Sequence, residues 1–370
     1  MTAGSGPTVV IAGGGTGGHL YPGLAVAEAL RARGWRVEFL GTANGIEARV
    51  VPGAGFAIHL LPGRQLRGGG VGRAVLGVGS LARGVGRALA ILAELRPGMV
   101  LGVGGYASAA AVVAARMRRI PTLLLEQNVI PGGANRLLGR LGPRVCVGFE
   151  ETIARFAPGQ AVHTGNPIRT KVIETPRMRR DRLGLLVVGG SGGAHSLNAA
   201  MVEGAGLMLD LLRTVDVLHQ TGPTDAPAMR AGYAQLGLTV RVEPFIDDMG
   251  AAYAGADAVI ARAGAMTCAE LTALGLPSIL VPYPFAADDH QRANAQVLVR
   301  AGAAEMILDR ELTPLRLANA VMSLVGDAER RTKMAANARA LGRPEAAARV
   351  ALECERLLDS GTRVSGTAAS

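Results

Sequence analysis

Short apolar runs, each closed by a glycine turn and followed by residues with helical spacing, recur along the chain. Residues 8–12 are the first such run. The turn Gly13-Gly14-Gly15-Thr16-Gly17-Gly18 follows, and from about residue 21 to 33 Leu24, Ala27 and Leu30 share one face, with Gly34 as the stop. Residues 36–40, 99–103, 122–125 and 144–147 read as further strands. A second series opens near residue 183. It has a strand over 185–188, the turn 189–193, a helix over about 197–212, and strands near 216–219, 239–242, 258–261 and 278–282. Strands alternating with helices predict an α/β fold with parallel, doubly wound sheets. The halves echo each other. Gly104-Gly105 opens a helix ending at Ile120-Pro121 and a loop leading to Asn135, while Gly264 opens one ending at Leu276-Pro277 and a loop leading to Asn294. The expected organisation is a first domain over 1–165, a charged, Pro-containing linker over 166–182, and a second domain over 183–342. A helix over 343–359 and a disordered tail over 360–370 complete it.

Composition narrows the class. Of the 370 residues, 49% are hydrophobic but only 3% aromatic, so a large core has to be built from Ala, Val, Leu and Ile. The net charge of +10 points to anionic partners: phosphorylated metabolites or an acidic membrane surface. Nucleic acid is disfavoured, because no basic run interleaved with aromatics offers stacking platforms. Cys146, Cys268 and Cys354 are too scattered for a zinc site and read as buried thiols of a cytosolic protein. No signal peptide is apparent. The low-charge stretches 97–115 and 184–202 are broken by glycines and parse as strand, loop and helix rather than as membrane spans.

Glycine turns at helix N-termini bind phosphate, because unpaired backbone donors and the helix dipole both favour negative charge. Gly13–Gly18 has that form, and Gly189-Gly190-Ser191-Gly192-Gly193 repeats it. No Gly-Lys-Ser/Thr follows, as a Walker loop needs, and no acidic residue closes the second strand to hold an NAD ribose. His19 directly follows the first turn, where doubly wound sheets place ligands, and an imidazole titrates near neutral pH, so it is the first candidate for a general base. Glu126 is the alternative. A third helix start, Arg262-Ala263-Gly264-Ala265, has Glu270 about one and a half turns behind it, where a carboxylate can accept ribose hydroxyls. Asn128 and Gln291 carry amides suited to sugar hydroxyls, and Arg169 offers a planar fork to phosphate. Asp-x-Asp, the pair with which single-domain, metal-dependent glycosyltransferases hold the donor diphosphate, is absent, which argues for metal-independent stabilisation of the leaving group by helix N-termini. Residues 48–93 lack any acid yet hold Arg49, Arg64, Arg67, Arg73, Arg83 and Arg87 among apolar residues, as a peripheral membrane contact would.

Together the motifs resemble the MurG family of peripheral membrane glycosyltransferases. They are Gly13 to His19, Gly104-Gly105-Tyr106, Glu126-Gln127-Asn128, Gly165-Asn166-Pro167-Ile168-Arg169, Gly189-Gly190-Ser191, Phe245-Ile246-Asp247-Asp248-Met249, Arg262 to Thr267 with Glu270, and Gln291 to Asn294, in family order over about residues 8 to 340. Gly192 and Leu125 depart from it, standing where relatives often carry a larger polar residue and His. The resemblance implies a GT-B fold, two Rossmann-like domains facing a cleft, and no cofactor. It implies inverting transfer of N-acetylglucosamine from UDP-GlcNAc to the 4-hydroxyl of the muramyl sugar of lipid I, giving lipid II at the cytoplasmic face of the plasma membrane. Ser191, Ile246, Ala265, Met266, Thr267 and Glu270 would hold uridine and diphosphate, with Arg169 also on the donor. Asn128 and Gln291 would hold the sugar, which Thr16, Gly17 and Gly18 also reach. Gly14, Gly15, Gly104, Gly105 and Tyr106 would face the acceptor diphosphate. The rival expectations are another GT-B enzyme acting on a glycolipid, a UDP-sugar 2-epimerase, and a non-catalytic nucleotide-sugar-binding protein.

Overall fold

The computed structural model describes residues 6–62, 71–178, 180–190 and 192–366. It divides into two compact units, residues 1–169 with 344–370 and residues 170–343. The first unit alternates β1 (Thr8–Gly13), α1 (Gly17–Ala32), β2 (Arg36–Thr42), α2 (Glu47–Gly53), β3 (Ala57–Leu61) and α3 (Val71–Leu95). It continues with β4 (Met99–Gly104), α4 (Gly105–Met117), β5 (Thr122–Glu126), α5 (Gly133–Gly139), β6 (Arg144–Val147) and β7 (Ala161–His163). All seven strands form one parallel sheet in the order β3-β2-β1-β4-β5-β6-β7. The order reverses between β1 and β4, and their C-terminal ends flank the point where such sheets take ligands. One face buries Val9, Ile11 and Leu101 under Leu24, Ala27 and Leu30 of α1. The other is covered by Ala107, Ala110, Ala111 and Ala114 of α4, whose small side chains let the helix lie close to Val10, Ala12 and Val100.

The second unit holds α6 (Thr170–Glu174), β8 (Gly184–Val188), α7 (His195–Ala205), α8 (Leu209–Thr214), β9 (Asp216–Gln220), α9 (Ala226–Gln235), β10 (Arg241–Glu243) and α10 (Met249–Ala254). After these come β11 (Ala258–Ala261), α11 (Ala265–Leu274), β12 (Ser278–Leu280), α12 (His290–Arg300), β13 (Ala304–Met306), α13 (Pro314–Gly326) and α14 (Ala328–Leu341). Its parallel sheet runs β10-β9-β8-β11-β12-β13, the same winding with the switch between β8 and β11. The chain then returns to the first unit as α15 (Ala346–Gly366), which packs on α1 and buries Val350, Ala351 and Cys354 in that unit's core.

These divisions differ from the sequence expectation in three places. The stretch 166–182 is not one linker: Asn166 and Ile168 are buried in the first unit, and Thr170–Glu174 is a helix of the second. The helix expected over 197–212 is broken at Gly206–Met208, where Gly204 lies so close to α13 that an added Cβ would stand 2.8 Å from the Pro314 carbonyl. α15 continues to Gly366, past the tail boundary expected at 360. The three cysteines are buried as free thiols, and burial pushes those of Cys268 and Cys354 up to about 12. Among the described residues, no helix is long and apolar enough to cross a membrane.

Candidate active site

Each unit carries expected residues at two helix starts, α1 and α4 in the first and α11 and α12 in the second. In the first unit Thr16 is the N-cap of α1, and Gly17, Gly18 and His19 make its first turn. His19 is half-buried, with Nδ1 3.3 Å from Thr16 Oγ1. Its ring lies against the next helix start: a Cβ on Gly104 would stand 2.7 Å from His19 Cδ2. Gly104 has φ 111° and Gly105 φ 82°, conformations that only glycine adopts without strain. The two turns interlock, since the Gly14 amide donates to the Gly104 carbonyl (3.4 Å) and a Cβ on Gly105 would meet Gly14 O at 2.8 Å.

Two expected diphosphate donors are committed elsewhere. The Gly15 amide donates to Glu47 Oε2 at 2.7 Å, and the Gly14 amide faces Gly104. Tyr106 likewise turns its hydroxyl towards α3, donating to Ser80 O with Pro62 O 3.0 Å away, so the side chain joins two helices. These three partners have one thing in common: sequence shows a turn's flexibility but not which way its donors point. The same applies to Glu126, 1% exposed at the end of β5. Its Oε1 accepts from the Asn128 amide (2.9 Å), and its Oε2 from the Gly132 amide (3.0 Å) and Asn135 Nδ2 (2.9 Å). A carboxylate so surrounded shapes the loop that presents Asn128. Arg169 ends the first unit with its guanidinium 4.4 Å from the centre of the Tyr21 ring.

In the second unit Ala265, Met266 and Thr267 form the first turn of α11, with Gly264 as N-cap. Asn294 Nδ2 donates to the Ala263 carbonyl (3.2 Å) and so fixes this turn. Glu270 is 8% exposed, not on a solvated face, and its Oε2 accepts from Tyr253 Oη at 3.0 Å. Gln291 is the second residue of α12 and accepts from the Tyr283 amide at 2.9 Å. Asp288 and Asp289 just before it both have positive φ (50° and 53°), a strained pair in the loop expected to meet the donor sugar. Ile246 lies between β10 and α10 on a cavity of about 360 Å³. Behind α7, buried Arg262 pairs with Asp309 (2.6 Å) and donates to Ser196 Oγ (2.9 Å). Ser191, Arg64 and Arg67 lie outside the described residues.

Sequence reasoning missed Glu47, Tyr253 and Arg262's partners. Each reaches the site from an element distant along the chain. The one local signal for Glu47 was its place as the last acid before the acid-free stretch.

Two family profiles match, the glycosyltransferase family 28 N-terminal domain over residues 9–147 and its C-terminal domain over 184–350. A UDP-N-acetylglucosamine–N-acetylmuramyl-(pentapeptide) pyrophosphoryl-undecaprenol N-acetylglucosamine transferase of Anaeromyxobacter dehalogenans is 46% identical over 355 residues, covering 95% of this chain and 93% of that protein. The crystal structure of Acinetobacter baumannii MurG superposes with a TM-score of 0.78 at 33% identity, over 95% of this chain and all of that one (100%). A crystal structure of a UDP-N-acetylglucosamine 2-epimerase shares the fold, with a TM-score of 0.71 at 13% identity over 96% of this chain and 96% of that one. The paired Rossmann-like units and the full-length identity agree: the chain belongs to the MurG family of glycosyltransferase family 28.

Proposed function

We propose that the enzyme transfers N-acetylglucosamine from UDP-GlcNAc to the 4-hydroxyl of the muramyl sugar of lipid I, giving lipid II with inversion. The observation that carries this reading is His19, placed in the first turn of α1 beside the β1/β4 switch point and against the second glycine turn. With the hydrogen on Nδ1 donated to Thr16 Oγ1, the Nε2 lone pair takes the proton of the acceptor hydroxyl as that oxygen attacks the anomeric carbon. UDP leaves from the opposite face through an oxocarbenium-like transition state. The positive end of α11, with Ala265, Met266 and Thr267 in its first turn, stabilises the departing diphosphate, and Ile246 and Glu270 hold uracil and ribose. Asn128 and Gln291 hold the sugar, and Glu126 positions Asn128. The acceptor diphosphate faces the first-turn amides of α1 and α4.

Incubation with UDP-GlcNAc and a short-chain lipid I analogue is expected to give a disaccharide and one UDP per transfer, with UDP-GlcNAc alone unchanged. Epimerisation without acceptor, or transfer to diacylglycerol but not to the analogue, would overturn the reading. His19→Ala should lower kcat by about 10²–10⁴-fold with donor KM held; a rise in acceptor KM alone places the base elsewhere.

The enzyme acts peripherally at the cytoplasmic membrane surface. Arg83 and Arg87 stand exposed on α3, and Met117, 65% exposed, projects between exposed Arg116 and Arg118. An apolar side chain among arginines suits an anionic lipid surface.

A further inference from the structure

The Gly13–Gly15 turn holds an anion of the protein's own. Glu47, the first residue of α2, is 1% exposed, and its carboxylate lies directly beneath the turn. Oε2 accepts from the Gly15 amide at 2.7 Å, and Oε1 from the Thr42 amide (2.9 Å) and Thr42 Oγ1 (2.8 Å). The fit is close enough to dictate the neighbouring residues. A Cβ on Gly14 would stand 2.3 Å from Glu47 Cδ, and one on Gly45 2.1 Å from its oxygens. Gly14 in turn carries the Gly104 contact against which the His19 ring rests. A chain of direct contacts therefore runs from the carboxylate through both glycine turns to the imidazole.

We propose that Glu47 is a positioning residue of the transfer reaction, its buried carboxylate standing in for an anion under the first glycine turn and fixing the turn that aims His19. This rests on the reading of His19 as the base. The carboxylate also keeps a phosphate from the Gly15 amide, because a second anion there would displace a charge held by three donors, while the Gly14 amide is taken by the Gly104 carbonyl. The acceptor diphosphate then uses the helix starts alone.

Glu47→Gln tests this. It keeps size and shape but presents an NH₂ group to donors that need an acceptor. The full-length enzyme, assayed with UDP-GlcNAc and the lipid I analogue, should lose at least tenfold in kcat. Donor KM should stay within twofold and the thermal midpoint within a few degrees. Unchanged kcat would overturn the proposal. A parallel rise in donor KM and fall in thermal midpoint would reduce it to general stability. Should Glu47→Gln not fold, Glu47→Asp, which keeps the charge but is one methylene short, carries the same test. His19→Ala, run beside it, separates the two readings: if that variant retains kcat, the base assignment fails whatever Glu47→Gln does.

Discussion

Tyr253 Oη donates to Glu270 Oε2 at 3.0 Å in a buried setting. With Glu270 on the donor ribose as proposed, Tyr253→Phe should raise donor KM about five- to tenfold, the worth of one buried hydrogen bond at about 1–1.5 kcal/mol, with kcat at saturating donor little changed. A chain of side chains in the same unit sets a pH dependence. His219 is fully buried, with Nδ1 2.9 Å from Tyr233 Oη and Nε2 3.1 Å from Asn198 Oδ1, and burial lowers its pKa from the ordinary 6.5 to about 4. Between those values the unfolded chain binds a proton that the folded chain refuses. Stability is therefore fully present above pH 6.5 and falls as pH drops towards 4, by on the order of 3 kcal/mol. Urea midpoints of the second unit measured across that range should fall accordingly, and a His219→Gln variant should flatten the slope. At this scale the sequence revealed the residues that stand inside a motif, such as His19 and Glu270. It concealed those whose role comes from folding, because Tyr253 precedes Glu270 by a whole strand and Glu47 follows Gly15 by another.

Central elements were legible and peripheral ones were not. β1, β4, β5, β8 and β11 are almost wholly buried, so they read as continuous apolar runs bounded by glycines. β3 and β7 lie at the two edges of their sheet and β13 at one edge of the other, half-exposed and short, and their mixed residues gave no run to find. The closing helix was foreseen as a helix but not as core. Yet Val350, Ala351 and Cys354 are fully buried, and Glu353 pairs with Arg144 at 3.2 Å while Glu355 pairs with Arg33 at 3.4 Å. The apolar side chains supply most of this attachment, since ion pairs near a surface contribute little. Val350→Ala should lower the stability of the first unit by about 2 kcal/mol, read from its urea midpoint. Glu355→Ala should change it by less than about 1 kcal/mol.

Over the whole chain an excess of ten positive charges coexists with dense internal pairing, so the unbalanced arginines decide how the molecule meets its surroundings. If the enzyme meets an anionic membrane as proposed, its binding to vesicles containing anionic lipid should weaken steeply between low salt and about 0.5 M salt. Arg83→Ser with Arg87→Ser should cut the partition constant roughly thirtyfold, at about 1 kcal/mol per arginine. Turnover on a short-chain acceptor in solution should be unaffected.

The return of the chain to its first unit has a consequence for how the protein is made. A ribosome releases residues in order, so the strands and helices up to Arg169 emerge long before the segment that closes their core. Until α15 appears, α1 carries an uncovered apolar face, whereas residues 170–343 form a complete unit as soon as they are out. The second unit can therefore be native on the ribosome while the first is still waiting. A nascent chain stalled before residue 346 would hold a finished second unit and an unfinished first, and chaperones would meet the apolar flank of α1.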